Sequence, residues 1–324
     1  MRRLVAHRDG EPLDVLAVAD VPDDSEPGPG RVTVEVEAVG LNFLDVMLCR
    51  GTYPVRPEPP VTPGVEFSGR VLTGPDAGRE VIGCPALPHG ALGETVTIDA
   101  GLLVPRPAAL DPVTGAGIPV TYQTAWFALE RAGVSAGDTV LVHAGAGGVG
   151  VAATQLAVAR GARVICTAGG PAKVEACRAN GADVAIDYHT EDFPKAVDAA
   201  TGGAGVDVVI DPVGGDVFAR SLDCLAFEGR IVAVGAAAGP PPAIDPMRLV
   251  ARNATLVGLS WGSAYPWRRP AEVAAAYEAL FALCATGAVR PPVNRVEPLE
   301  GAPAALQDLA AGRTTGKIVV RIGG

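Results

Sequence analysis

The stretch Thr139-Val140-Leu141-Val142-His143-Ala144-Gly145-Ala146-Gly147-Gly148-Val149-Gly150 decides how the rest of the chain is read. Residues 139–142 form a short apolar, β-rich run introduced by the turn-like Gly137-Asp138. Such a run fits a strand buried on both faces of a parallel sheet. Glycines at 145, 147 and 150 then match G-x-G-x-x-G, and residues 151–160 continue with helical composition and no breaker. The order strand, glycine turn, helix is the context that gives this motif meaning. In that context Gly145 permits the tight turn, Gly147 lets the backbone approach a pyrophosphate, and Gly150 lets helix and strand pack closely. The diphosphate would sit against unpaired N–H groups at the positive end of the helix dipole.

Which dinucleotide binds is decided at the end of the next strand, Arg163-Val164-Ile165-Cys166-Thr167-Ala168. An acidic residue there would hold the 2′-hydroxyl of NAD. No Asp or Glu occurs between Gly161 and Val174; the turn is Gly169-Gly170-Pro171-Ala172-Lys173, neutral and then basic. That leaves room and charge for a 2′-phosphate, so NADPH is the expected cofactor. Lys173 could equally be a solvated helix residue, but it is one of only three lysines in the chain.

Composition sets the outer bounds. A chain of 324 residues allows two domains, and 48% hydrophobic against 19% charged residues describes a globular protein. No apolar run approaches the ~18 residues that cross a bilayer, and the N-terminus turns charged too soon for a signal peptide. A cytoplasmic location is expected. The formal charge of −10 argues against nucleic acid or an anionic membrane as partner. The six cysteines, at 49, 84, 166, 177, 224 and 284, include no C-x-x-C, and no Cys/His pair stands at ligand spacing. They read as buried free thiols, and no metal is expected.

Residues 1–116 are rich in strand and turn signals. Val32-Thr33-Val34-Glu35-Val36-Glu37-Ala38-Val39 alternates as a strand with one wet face, and short runs follow at 67–73, 80–84 and 95–98. The pattern predicts a small, mostly antiparallel barrel or sandwich, with the proline-rich 53–63 as a loop. From 116 the rhythm changes. A helix at 122–132 precedes strands near 140, 163, 184, 206 and 231 that alternate with helices near 150, 172, 191 and 217. This is a doubly wound parallel sheet, an α/β architecture. Ligands sit off the carboxyl ends of such strands, which places Thr167, Val213-Gly214 and Val234-Gly235 near the cofactor. After Leu256-Val257-Gly258-Leu259 come a helix at 271–285, a strand at 293–296, a helix at 302–311 and a last strand at 317–322, read as a return into the first domain.

The stretch AGAGGVGVAATQLAVARG at 144–161 resembles the cofactor turn of the medium-chain dehydrogenase/reductase superfamily. So do Val39-Gly40-Leu41-Asn42-Phe43-Leu44-Asp45, Pro63-Gly64-Val65-Glu66-Phe67-Ser68-Gly69, Ala185-Ile186-Asp187-Tyr188 and Gly316-Lys317-Ile318-Val319-Val320. The likeness is nearest to the zinc-independent quinone oxidoreductase branch, which includes enoyl reductases. It implies a Rossmann-type cofactor domain at 117–259 and a mainly β, GroES-like catalytic domain at 1–116 and 260–324. Zinc-bearing relatives place a ligand cysteine where this chain has Asn42, and Gly-His-Glu where it has Gly64-Val65-Glu66; their closely spaced structural cysteines are absent around 84–100. Without such ligands zinc has nothing soft to hold it. The segment after Val71 is shorter than usual, so that edge of the barrel can differ.

By this resemblance Asn42 approaches the nicotinamide ribose, and Thr124 and 147–149 approach the nicotinamide and diphosphate. Lys173, Tyr188 and Arg313 surround the 2′-phosphate, and Lys317 lies near the cofactor. Together with the motif and the strand ends, the expected cofactor-binding set is Asn42, Thr124, Gly145, Ala146, Gly147, Gly148, Val149, Gly150, Thr167, Lys173, Tyr188, Val213, Val234, Gly235, Arg313 and Lys317. Tyr53, in Gly51-Thr52-Tyr53-Pro54, matches the setting of a substrate-site tyrosine in enoyl reductases and, with Asn42, is the catalytic candidate. Hydride added to an enone or quinone pushes charge onto an oxygen that needs a donor. Tyr53 could instead pack as an aromatic wall, Asn42 could merely cap the helix that begins at Phe43, and Asp45 reads as structural. His143 reads as a satisfied core residue. Trp261, Tyr265 and Trp267 wall either a substrate cleft or an oligomer contact.

The expectation is an NADPH-dependent reductase of quinones or α,β-unsaturated carbonyls, acting on a small molecule as a homodimer. The alternatives are an enoyl-thioester reductase of fatty acid or polyketide assembly and a non-catalytic NADPH-binding protein.

Overall fold

A computed structural model of the chain describes residues 1–22, 27–240 and 242–323. It divides into two compact units, 1–120 with 291–324, and 121–290.

The first unit is built on strands β1 (Arg2–Ala6), β2 (Leu16–Asp20), β3 (Arg31–Gly40), β4 (Phe67–Val71), β5 (Glu80–Gly83), β6 (Thr95–Asp99) and β7 (Leu103–Pro105). The second carries β8 (Thr139–Val142), β9 (Arg163–Ala168), β10 (Val184–Asp187), β11 (Val206–Asp211), β12 (Leu225–Ala233) and β13 (Thr255–Gly258). The chain then returns to the first unit with β14 (Val293–Pro298) and β15 (Lys317–Arg321). β1 and β2 form an antiparallel pair that the sequence reading had not resolved.

In the first unit β3 is the hub. One of its edges pairs with β4; the other pairs with β6 along its first half and with β15 along its last three residues. The burial of β3 departs from the expected alternation. Thr33 and Val39, on the face predicted to be wet, are buried. The helix Phe43–Cys49 and the helix Ala302–Ala310 close over the core formed by Val34, Val36, Phe67, Val96, Leu306 and Ile318.

In the second unit the sheet order is β10-β9-β8-β11-β12-β13, all parallel. Counted along the chain this is 3-2-1-4-5-6, the dinucleotide-binding arrangement, with its direction switch between β8 and β11. The short apolar strands are buried on both faces: Val140, Leu141 and Val142, and Val208, Val209 and Ile210, are fully enclosed. Burial of that kind, at about 25 cal/mol per Å² of apolar surface, drives the sheet together.

One boundary departs from the sequence reading. Residues 260–290, assigned above to the first domain, belong to the second unit. The helix Pro270–Thr286 lies against the helix Thr121–Ala132, where Gln123 Nε2 donates to the Val273 carbonyl at 3.3 Å. The Tyr265 ring packs on Phe127 with centroids 4.2 Å apart. Trp261 is buried and Trp267 half exposed.

Candidate functional site

The glycine turn leaves β8 at its carboxyl end. Its tightness comes from Ala144, which takes φ +50°, and not from Gly145, which has no left-handed φ. Gly145 is needed for space, since a Cβ there would lie 2.7 Å from Cys166 Sγ. A Cβ on Gly150 would lie 2.2 Å from the Ala144 carbonyl oxygen, which is the close helix-to-turn packing expected of the third glycine. Gly147 is different. Its Cβ would meet only the Ala144 oxygen, at 3.3 Å, so the protein itself scarcely requires glycine there. Absence of a side chain keeps the backbone open to a ligand on that side.

The helix Gly148–Ala159 begins at this point, with no side-chain cap on its first turn. Its first ladder bond is from the Val151 N–H to the Gly147 carbonyl at 2.8 Å. The Gly148, Val149 and Gly150 amides precede the ladder, and a helix start with free amides suits an anion. These residues fit the diphosphate of a dinucleotide.

Three neighbouring turns surround this helix start. Thr167, at the end of β9, accepts the Gly145 N–H at its carbonyl (3.0 Å), while its hydroxyl is held by His143 Nδ1 at 2.8 Å. His143 Nε2 meets Ser221 Oγ at 2.7 Å, and burial pulls this imidazole down to about 3, so it is neutral. It is a satisfied core histidine. The Asp211 carboxylate, at the end of β11, accepts the N–H groups of Val213 (2.7 Å) and Gly214 (3.1 Å) through Oδ1. Its Oδ2 is buried without a partner, and burial raises its pKa. The backbone N–H of Val234 donates to the Asp211 carbonyl at 2.9 Å, joining the β12 end to the same turn; Gly235 is packed against Pro212.

At the end of β9 the Gly169-Gly170 turn is held by the Asp187 carboxylate, which accepts the Gly170 and His189 N–H groups at 2.9 and 3.0 Å. The Tyr188 ring lies over Gly169, where a Cβ would come 2.6 Å from its hydroxyl, and the tyrosine remains half exposed. Lys173 opens the next helix, Pro171–Ala179, and partial burial lowers its pKa. The structure thus brings Lys173 and Tyr188 to one turn. Thr124 lies in the helix Thr121–Ala132. Arg313, in the first unit, is bound to Asp308 at 2.5 Å.

The first unit holds a second group of expected residues. Lys317 Nζ, buried, donates to the Leu41 carbonyl (2.8 Å), Asn42 Oδ1 (3.0 Å) and Glu66 Oε1 (2.5 Å). Asn42 Nδ2 donates to Glu66 Oε1 (2.8 Å) and to the Gly40 carbonyl (3.2 Å). Glu66 Oε2 accepts the Val120 N–H at 2.7 Å. An ammonium has three donors and an amide nitrogen two, so all five are spent. What Asn42 retains is one acceptor lone pair on Oδ1. It can accept from a ligand hydroxyl or amide but has no hydrogen to give an oxyanion.

Asn42 is the N-cap of the helix Phe43–Cys49, and Asp45, the third residue of that helix, reaches back to it. The Asp45 carboxylate accepts the Asn42 N–H at 2.8 Å and the Gly64 N–H at 2.7 Å. Burial pushes Asp45 up to about 6, against the pull of those two N–H groups and of Lys317. Asp45 is structural, as expected. Tyr53 stands half buried in the loop after this helix, and burial raises its phenol. Among the described residues no group of three or more His, Cys, Asp or Glu is placed to hold a metal ion.

Glu66 and Asp211 were passed over as site residues in the sequence. Each is an acid beside an apolar strand, a pattern that calls for a buried partner.

Two family models match this chain. The one described as "Alcohol dehydrogenase GroES-like domain" covers residues 28–108, and the one described as "Zinc-binding dehydrogenase" covers 148–279. "Quinone oxidoreductase-like protein 2" of Bos taurus is 37% identical over 303 residues, 91% of this chain and 86% of that protein. The Escherichia coli quinone oxidoreductase solved with NADPH superposes with a TM-score of 0.92 at 30% identity, covering 99% of this chain and 100% of the other. A segment of the Mycobacterium bovis "Phthioceranic/hydroxyphthioceranic acid synthase" is 33% identical over 322 residues, 97% of this chain but 15% of the synthase. The chain therefore belongs to the medium-chain dehydrogenase/reductase superfamily, in its quinone oxidoreductase branch, with a Rossmann-type sheet and a GroES-like domain.

Proposed function

We propose that the chain is an NADPH-dependent, zinc-independent reductase that transfers hydride to a quinone or to the double bond of an α,β-unsaturated carbonyl. The observation that carries the reading is the uncapped helix start at 148–150, approached through Gly147 at the carboxyl end of β8. Bound NADPH would supply the hydride from its nicotinamide. The 148–150 amides hold its diphosphate, and the ends of β11 and β12 at Val213, Val234 and Gly235 border the cofactor. Lys173 and Tyr188 take the 2′-phosphate. Asn42, left with a single acceptor, fixes a ribose hydroxyl and not the reacting oxygen; Thr124 borders the nicotinamide.

The oxygen that gains charge then needs another donor. We assign that proton to the Tyr53 hydroxyl. Tyr53→Phe should lower kcat about a hundredfold with little change in the KM for NADPH, the range of one general acid. An unchanged kcat would return Tyr53 to a packing role, with solvent as the acid. Zinc independence is supported by the donor set, since Asn42 is already committed and Val65 offers no ligand.

The domain roles follow: unit 121–290 binds NADPH and unit 1–120 with 291–324 binds the acceptor. No helix among the described residues is long and apolar enough to cross a membrane, and we place the protein in the cytoplasm. A homodimer would form along the edge strand β13, where Leu256 is 42% exposed.

The likeness to the synthase segment favours a second reading, reduction of an enoyl thioester. NADPH oxidation followed by absorbance, with a naphthoquinone, a simple enone and a short enoyl-CoA as acceptors, separates the two. The proposal expects turnover with quinone or enone and a preference for NADPH over NADH. Lys173→Ala should raise the KM for NADPH roughly tenfold, the scale of one charge-assisted hydrogen bond, and leave NADH unchanged. Turnover confined to enoyl-CoA would establish the second reading. NADPH binding without oxidation by any acceptor would make the protein a non-catalytic binder.

A further inference from the structure

Two of the free cysteines meet beside the glycine turn. Cys166 lies on β9 and Cys177 on the helix Pro171–Ala179, and both are buried. The point where a Gly145 Cβ would stand is 2.7 Å from Cys166 Sγ and 3.0 Å from Cys177 Sγ. Both sulfurs thus converge against the backbone of the first glycine. Thr154 Oγ1, 3.2 Å from Cys166 Sγ, ties the pair to the helix whose first amides face the proposed diphosphate.

We propose that Cys166 and Cys177 are a redox-active pair that closes to a reversible disulfide when a small hydroperoxide reaches it. The two thiols are not equivalent. Cys177 is lowered because the Cys166 thiol donates to it, with Arg178 and Lys173 adding positive charge, while Cys166 is raised by the same bond and by burial. Lys173 lies four residues before Cys177, on the same face of the helix.

Cys177 is accordingly the nucleophile. Its thiolate attacks one peroxide oxygen, the O–O bond breaks, and the leaving alkoxide or hydroxide takes a proton. Cys177 becomes a sulfenic acid. Cys166 sulfur then attacks that sulfur, the S–O bond breaks, and the departing hydroxide leaves as water with the Cys166 proton. Two thiols lose two electrons in all, and the hydroperoxide is reduced to an alcohol (or water) and water. Bond formation draws both sulfurs from their contact with Gly145, so oxidation should loosen the turn.

The test treats the reduced full chain with hydrogen peroxide, blocks remaining thiols by alkylation, and maps the linked peptides. The proposal expects a 166–177 linkage that a dithiol reductant reverses. Cys166→Ser should stop at a sulfenic acid on Cys177, trapped by dimedone, and Cys177→Ser should give neither product. Oxidation confined to the partly exposed Cys84 or Cys284, with 166 and 177 still unoxidised, would overturn it.

NADPH affinity gives a second readout. It should fall about tenfold on oxidation, within the usual range of site-to-site coupling, and recover on reduction. This part alone rests on the turn being the NADPH site. If the disulfide forms but the reduced protein does not bind NADPH, that functional reading fails and the thiol pair stands. Disulfide formation with unchanged NADPH affinity would refute the coupling.

Discussion

Replacing Lys317 with methionine should destabilise the first unit by about 3–5 kcal/mol, the usual consequence of stranding one partner of a buried ion pair. Glu66 is fully enclosed, and its Oε1 would keep only the Asn42 amide where it now also binds the ammonium. Asn42 Oδ1 would lose its anchor as well. The measurement is chemical denaturation of the wild type, Lys317→Met, Glu66→Gln and the double variant. The double variant should recover most of the loss, because no unpaired charge remains. The Lys317→Met chain, where folded, should also lose kcat/KM through a misplaced Asn42. A change below about 1 kcal/mol would mean that the pair behaves like a solvated surface bridge, contrary to its burial.

Acid should act on the second unit through His143. Its folded pKa, about 3, lies below the ordinary 6.5, so the unfolded chain takes up the proton first. Stability from this group is complete above 6.5 and is lost as pH falls towards 3. One proton costs about 1.4 kcal/mol per pH unit, or about 2 kcal/mol between pH 7 and pH 5. Asp45, in the first unit, has the opposite sign. Raised to about 6 from 3.8, it favours the folded state at low pH, and that contribution disappears as pH rises through 6. Amide exchange of 140–142 against that of 43–49, measured at both pH values, separates the two. His143→Gln should abolish the acid loss in the former, and Asp45→Asn the acid gain in the latter. An unchanged profile in His143→Gln would mean that the imidazole is charged or solvated in the native protein.

The alternation of strand and helix from 139 to 258 was legible because each strand is a short apolar run between turn residues. Local composition carries that signal. The doubly wound class follows from that alternation, whereas the strand order is seen only in the structure. What local pattern does not carry is partnership across the chain. Lys317 and Glu66 are 251 positions apart, and His143 meets Thr167 and Ser221 across 24 and 78. Lysine 317 was named for its neighbourhood, but the carboxylate that makes it a buried ion pair was not. The boundary near 260 was misread for a related reason. The helix Pro270–Thr286 has the same composition whichever unit it covers, and only its seat on Thr121–Ala132 decides the matter. Gly145 was read as the residue that permits the tight turn, but the left-handed φ belongs to Ala144, and what Gly145 supplies is space beside two sulfurs.

The most direct measurement is isotopic. NADPH carrying deuterium at the transferable position would be mixed with a simple enone and the product examined by NMR. Hydride transfer from NADPH predicts one deuterium at the β-carbon and an exchangeable solvent proton at the α-carbon. A reduced product without deuterium, from either face of the nicotinamide, or no reduced product at all from enone, quinone or enoyl thioester, would contradict the account.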